Sequence, residues 1–242
     1  MTSIFGRIRV AALASVMVLG GAFAAQAEQV LHRGNGAEPE TLDPHKSTGV
    51  TEYNIEADLY EGLVTLTADG RQTPGAAEKW DISDDGTVYT FHIRPNAKWS
   101  NGDPLTADDF VYSLRRAVDP KTASDYAPML KPIVNADQIT AGKLDPSKLG
   151  VEAVDPHTLK LTLTGPTPFI LGILNHNIAM PVHKATVEKF GDQWTRPGNA
   201  VTNGAFTISE WVPQSQITLV KNPNFHDAAL VKLNAAVLLP PF

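Results

Sequence analysis

Apolar and polar residues alternate most regularly in two stretches of the chain. Over residues 88–94, Tyr89, Phe91 and Ile93 fall on one face and Thr90, His92 and Arg94 on the other. Over residues 158–164, Leu159, Leu161 and Leu163 alternate with Thr158, Lys160, Thr162 and Thr164. A period of two is that of a strand with one face in a core and one in water. Asp85-Gly86 and Asn101-Gly102 predict turns on either side of the first strand, and Asp155-Pro156-His157 joins residues 151–154 to the second as a hairpin. After the first strand the period changes. Thr106 is followed three residues later by Asp109, a variant of the capping box, and Phe110, Val111, Leu114, Ala117 and Val118 then recur at helical spacing until Asp119-Pro120 stops them.

Weaker patterns fill in the rest. Residues 30–33 predict a short strand broken by Gly34-Asn35-Gly36. Tyr53, Ile55, Leu59 and Tyr60 predict a helix over 51–61, with Gly62 as its stop residue. A strand over 63–67 is turned by Asp69-Gly70, and Gly142, Pro146 and Gly150 punctuate a loop-like stretch after Asp137. Thr167-Pro168 predicts the cap and first-turn proline of a short apolar helix through Leu174, and residues 184–190 predict another closed by Gly191. Strands leading from Phe206 to Trp211 and over 216–221 pair across Pro213-Gln214, and an apolar strand-like run begins at Ala236. With 18 prolines and 18 glycines, the chain reads as mixed α/β and rich in turns.

The first residues have a different character. Arg7 and Arg9, an apolar run over 10–23 and Ala25-Gln26-Ala27 make a secretory signal peptide, with cleavage expected after Ala27. The run is shorter than the ~20 residues that span a bilayer, so an exported, soluble protein is expected rather than an anchored one. About 215 residues then remain, enough for one large or two modest domains. The sequence has no cysteine, which excludes disulfides, cysteine-based zinc or redox sites and a lipid-modified amino terminus of the bacterial lipoprotein type. A formal net charge of −6 without a basic cluster argues against a nucleic-acid partner.

Catalytic chemistry finds little support. There is no Gly-x-Ser-x-Gly elbow, His-Glu-x-x-His helix or P-loop. Gly34-Asn35-Gly36 lacks the third glycine of a dinucleotide fingerprint, Pro39 and Glu40 standing there instead. Asp84-Asp85 and Asp108-Asp109 are better used in a turn and a cap than as an acid and base pair. His45 has two readings, a ligand or base and a turn histidine bonded to backbone. His176 and His183 are separated by Met180-Pro181, which keeps them off a shared helical face. A metal site of histidine and carboxylate stays open in principle, but no spacing identifies one. No enzyme, cofactor or metal is expected.

Residues 77–116 carry more than a pattern. Ala77-Glu78-Lys79-Trp80, the strand ending in Arg94, Asn96-Ala97-Lys98-Trp99-Ser100, Gly102 and the run from Thr106 to Tyr112 together resemble the signature region of the family 5 extracellular solute-binding proteins. These are the oligopeptide-binding proteins of bacterial ABC importers. Thr41-Leu42-Asp43-Pro44-His45, the run from Ala185 to Gly191, Thr202-Asn203-Gly204-Ala205 and Asn222-Pro223-Asn224-Phe225 extend the resemblance over essentially the whole chain after the signal peptide.

The resemblance implies an α/β fold of the type II periplasmic-binding-protein kind. Residues 28–60 and 186–242 are then two segments of a first lobe, residues 61–185 a small inserted α+β domain, and the second lobe is absent, as in an N-terminal portion of a longer protein. It also implies a periplasmic, monomeric protein that captures oligopeptides between two lobes and delivers them to an inner-membrane ABC permease without hydrolysing ATP. The candidate ligand contacts are the backbone of Thr48, Gly49 and Val50, and Tyr126, where family members have a tyrosine that meets the peptide. Tyr126 could equally fill a local apolar gap. Thr48 stands where a peptide binder of the family has a glutamate, which leaves other ligands of the family open, such as a metal complex or haem. A chaperone-like binder is a further alternative. Because the residues that meet a peptide's amino terminus lie in the other lobe, residues 28–242 alone are expected to bind peptide weakly or not at all.

Overall fold

A computed structural model describes residues 28–239, so the signal-peptide reading of residues 1–27 and the final 240–242 lie outside the described residues. In chain order the elements are β1 (Val30–Gly34), α1 (Val50–Leu59), β2 (Val64–Leu66), β3 (Gln72–Pro74), β4 (Ala77–Ile82), β5 (Val88–Ile93), α2 (Ala107–Val118) and α3 (Ala136–Thr140). They continue with β6 (Val151–Asp155), β7 (Thr158–Thr162), α4 (Ile170–Leu174), α5 (Lys184–Phe190), β8 (Phe206–Val212), β9 (Gln216–Lys221) and β10 (Ala235–Leu239).

The two alternating stretches become neighbours. β5 and β7 pair antiparallel at the centre of a four-stranded sheet of order β4-β5-β7-β6, with Phe91 opposite Leu159 and Tyr89 opposite Leu161. Their apolar faces pack against α2, whose Phe110, Leu114 and Ala117 are buried in the same core. Phe91 and Phe110 are both 0% exposed, and burying side chains of that size stabilises by about 1.5–3 kcal/mol each. The expected cap of α2 forms: the Thr106 amide donates to the Asp109 carboxylate at 2.7 Å. Gly86 and Gly102 take the left-handed conformation of the predicted turns, at φ 69° and 94°.

A second sheet, of order β1-β10-β9-β8, sits on another core. β8 and β9 form the predicted hairpin, β10 adds antiparallel to β9, and β1 adds parallel to β10, with Val30 opposite Ala235. α1 covers it, and Ile55 and Leu59 join Phe206, Ile208, Ile217, Leu219 and Leu238 in its core. β2 and β3 make a separate two-stranded ribbon. No helix among the described residues is long and apolar enough to cross a membrane.

Three local expectations are corrected. Gly62 does not stop α1, which ends at Leu59 because Tyr60 is extended at φ −126°, ψ 148°. Gly62 is needed for close packing instead, since a Cβ there would lie 3.0 Å from the Leu174 carbonyl oxygen. The stretch after Asp137 contains α3, five residues too short to show a helical period. α4 starts after Phe169 rather than at Thr167-Pro168, because the Thr167 hydroxyl donates back to the Gly165 carbonyl at 3.0 Å instead of capping.

Candidate ligand-binding site

The segment that enters α1 is extended at Gly49 (φ −98°, ψ 158°), and no side chain caps the helix. The first amides of a helix have no partner within it, so Val50, Thr51 and Glu52 present donors at this end. A Cβ on Gly49 would lie 2.0 Å from the Glu52 carboxylate, so a larger residue there displaces that side chain. That carboxylate is itself engaged, accepting from the Glu40 amide at 3.0 Å and the Thr51 hydroxyl at 2.8 Å.

Tyr126 arrives from the loop after α2. Its hydroxyl donates to the Thr48 carbonyl at 3.1 Å, and its ring meets the edge of His176 at 4.7 Å and 80°. The four candidate residues Thr48, Gly49, Val50 and Tyr126 thus line one surface concavity of about 210 Å³, with Tyr53, His176 and Asn177. No lysine, arginine or carboxylate is among these residues. Burial lowers the pKa of His176, and its Nδ1 accepts from the Ile178 amide at 3.3 Å, so the neutral ring keeps its proton on Nε2.

Beneath the concavity lies a buried polar triad. The Ser47 hydroxyl and the Asn177 amide both donate to Glu56 Oε2, at 2.9 and 3.0 Å, and Asn177 also donates to Ser47 at 2.8 Å. Burial pushes the Glu56 carboxyl up to about 7 despite these two donors. The triad fixes the residue before Thr48 and the inner side of Asn177, so it shapes the floor of the concavity.

A second buried cluster lies among Asp43, His45, Arg116 and Trp194. Arg116 Nη1 donates to Asp43 at 2.9 Å and to His45 Nδ1 at 2.8 Å, His45 Nε2 donates to the Met180 carbonyl at 3.0 Å, and Trp194 donates to Asp43 at 3.4 Å. Burial, and then the Arg116 charge, push His45 down to about 4. Burial alone would raise Asp43, but its hydrogen bond to Arg116 and the cation's charge hold the carboxyl below its ordinary value. His45 does bond backbone, as a turn histidine would, but to a carbonyl 135 residues away. It is neutral and only 1% exposed. His183 is half-buried, its ring edge-on to Trp99 at 5.1 Å. No group of three or more metal-ligating residues is found among the described residues.

The family model described as bacterial extracellular solute-binding proteins, family 5 Middle, matches residues 71–240. The chain belongs to this family. The periplasmic oligopeptide-binding protein OppA of Escherichia coli is 47% identical to it over 99% of this chain and 46% of that protein. A second E. coli relative, named probable deoxycholate-binding periplasmic protein YgiS, is 45% identical over 83% of this chain and 38% of its own length. The crystal structure of Haemophilus influenzae OppA in complex with RPPGFSPFR superposes with a TM-score of 0.86 at 42% identity, covering 88% of this chain and 42% of that one. The chain therefore spans less than half the length of these relatives, and its fold is that of type II periplasmic binding proteins.

The residues that carried the family resemblance turn out to hold segments together. Asn203 accepts from the Glu61 amide at 3.1 Å and donates to its carbonyl at 2.7 Å, while a Cβ on Gly204 would lie 2.6 Å from Leu59 backbone. Asn222 donates to the Gly204 carbonyl and Asn224 to that of Ser100, each at 2.9 Å. The Ser100 amide donates to Thr202 at 2.7 Å. These motifs interlock near the end of α1. Of the site itself, Tyr53, His176 and Asn177 were not foreseen as contacts. Tyr53 is hidden in a helical apolar pattern, and Asn177 carries no local signal.

Proposed function

We propose that this family 5 chain forms one wall of an oligopeptide-binding cleft in the solute-binding component of an ABC importer. The observation that carries the reading is the composition of the concavity: unpaired helix amides, an extended backbone segment and a tyrosine, with no charged side chain. Such a surface matches the amides and carbonyls that every peptide presents, as when a strand is added to an edge, and leaves the ligand's side chains unspecified. Thr48, Gly49, Val50 and Tyr126 are the proposed contacts, joined by His176 and Asn177.

The protein is exported to the periplasm after cleavage at Ala27, works as a monomer, delivers its ligand to an inner-membrane permease and catalyses no reaction. Residues 28–60 and 186–242 form the lobe that carries the first contacts, and residues 61–185 form the inserted domain that supplies Tyr126. Two separate cores support two units, with Met180 and Val182 reaching from the inserted domain into the core of the lobe.

Titration calorimetry on the natural full-length polypeptide carrying this chain tests the reading, with mixed tri- to pentapeptides in one arm and deoxycholate in the other. Saturable binding of peptide, weakened by Tyr126→Ala, is expected. Heat with deoxycholate alone, or peptide binding indifferent to Tyr126→Ala, would contradict it.

A further inference from the structure

The polar triad under the concavity has two loose ends. Glu56 Oε2 accepts from the Ser47 hydroxyl and the Asn177 amide, but Oε1 of the same carboxyl has no partner among the described residues, and neither has Asn177 Oδ1. Water does not reach them easily: Ser47 and Asn177 are 2% exposed and Glu56 0%. A buried acceptor left without a donor is destabilising, and here two belong to groups already joined at 3.0 Å. One proton serves both. On Glu56 Oε1 it turns that oxygen into a donor, with Asn177 Oδ1 as the free acceptor, whereas an ionised carboxylate offers acceptors only.

The groups around the triad favour the same state. Burial, then the negative charges of Asp43 from the turn before α1 and Glu52 on α1 itself, raise the Glu56 carboxyl to about 7, so both of its forms are populated near neutral pH. Arg116 is bonded to Asp43 at 2.9 Å, and His45 beside it is neutral. Tyr60, one turn further along, is buried, which raises its own pKa and keeps it neutral, and His176 next to Asn177 is neutral as well.

We propose that Glu56 is a positioning residue that works in its neutral form, donating to Asn177 to hold the floor of the concavity, and that filling the concavity draws a proton onto it. The inference rests on the peptide reading above. A ligand seated on Thr48 to Val50 and Asn177 selects the arrangement that the neutral acid satisfies and removes water from above the carboxyl, and both effects raise its pKa. The loaded protein then binds the extra proton, so affinity is fully present below about pH 7 and falls as pH rises above it.

The experiment is titration calorimetry of the natural full-length polypeptide with mixed tri- to pentapeptides, in buffers of different ionisation enthalpy, on the parent and Glu56→Gln. The glutamine amide carries a permanent donor where the acid has its proton. For a rise of one pKa unit on binding, the parent should take up about half a proton more than the variant at pH 7.5, and should weaken about tenfold more between pH 6 and 9. A carboxylate needed as a structural anion predicts the reverse, weaker binding by Glu56→Gln at every pH and no extra proton, and that result would overturn the proposal. Equal uptake by the two proteins would overturn it too, leaving the proposed function standing. Should Glu56→Gln not fold, the carboxylic-acid carbonyl stretch in the infrared spectrum of the parent decides: it is expected to grow at pH 7.5 when peptide is added, and a band that does not grow sinks the inference. If no peptide binds at all, both readings fall.

Discussion

The sheet β4-β5-β7-β6 and the sheet β1-β10-β9-β8 are held in contrasting ways. The first rests on α2 through a core of apolar side chains. The second has an apolar core of its own and is tied in addition by buried ionisable groups: Asp43, Glu52 and Glu56, the buried carboxylates among the described residues, all come from the short stretch that leads into and through α1. The candidate binding wall, Thr48 to Val50, lies within that stretch. Apolar packing fills a region tolerantly, whereas a buried charge with one partner is costly to disturb and holds a backbone segment in one place. The candidate binding segment is thus fixed from below by Glu56 and flanked by the Asp43 cluster.

The contrast is sharpest when each region loses one anchor. Arg116→Met leaves Asp43 buried without its cation, which should cost about 3–5 kcal/mol in urea denaturation at pH 8. Phe91→Ala should cost a similar ~3–5 kcal/mol by leaving a cavity. The two differ in pH dependence: acid protonates the stranded Asp43 and relieves the first loss, but leaves the second unchanged. Equal behaviour of the two variants between pH 4 and 8 would erase the distinction.

The next effect involves two groups that oppose each other. Glu56 is raised from 4.5 to about 7 on folding, so the folded state holds its proton more tightly and this contribution to stability is lost as pH rises through that window. His45 is lowered from 6.5 to about 4, so the unfolded state binds the extra proton and stability is gained as pH rises from 4 to 6.5. Between about 4.5 and 6.5 the two slopes oppose each other, each amounting to roughly 3 kcal/mol over its full range. Glu56→Gln should therefore give a melting temperature that climbs more steeply from pH 4.5 to 6.5 than that of the parent protein. A variant that matches the parent across this range would contradict the opposed pair.

A smaller effect belongs to the apolar region. Asp109→Ala removes the acceptor at the start of α2 and should cost about 1 kcal/mol at any pH where Asp109 is ionised, read as a shift in urea midpoint. A loss above that of Phe91→Ala would mean that the cap, rather than the core, holds α2 in place.

How much could be read beforehand follows the same division. β5, β7 and the α2 cap were legible because alternation and capping are local, and their residues obey both in the structure. The parallel pairing of β1 with β10 was not, since Val30 and Ala235 meet across nearly the whole described chain and no local period encodes a partner. The burial of Asp43, His45 and Glu56 was also hidden, because polar residues in a turn and on an amphipathic helix ordinarily face water. At the site, Thr48, Gly49, Val50 and Tyr126 were reached through family resemblance, and the structure brings them into one concavity. Their neighbours His176 and Asn177 lie just past the short apolar helix that ends at Leu174, where no local pattern marks a contact.

Amide hydrogen exchange on the natural full-length polypeptide, with and without saturating peptide, bears most directly on the claim that this wall grips a ligand backbone. Slowed exchange at residues 48–52 and 176–177, with none at the remote 84–86 turn, is the predicted result. Ligand-induced protection elsewhere in the protein but none at 48–52 would contradict the account.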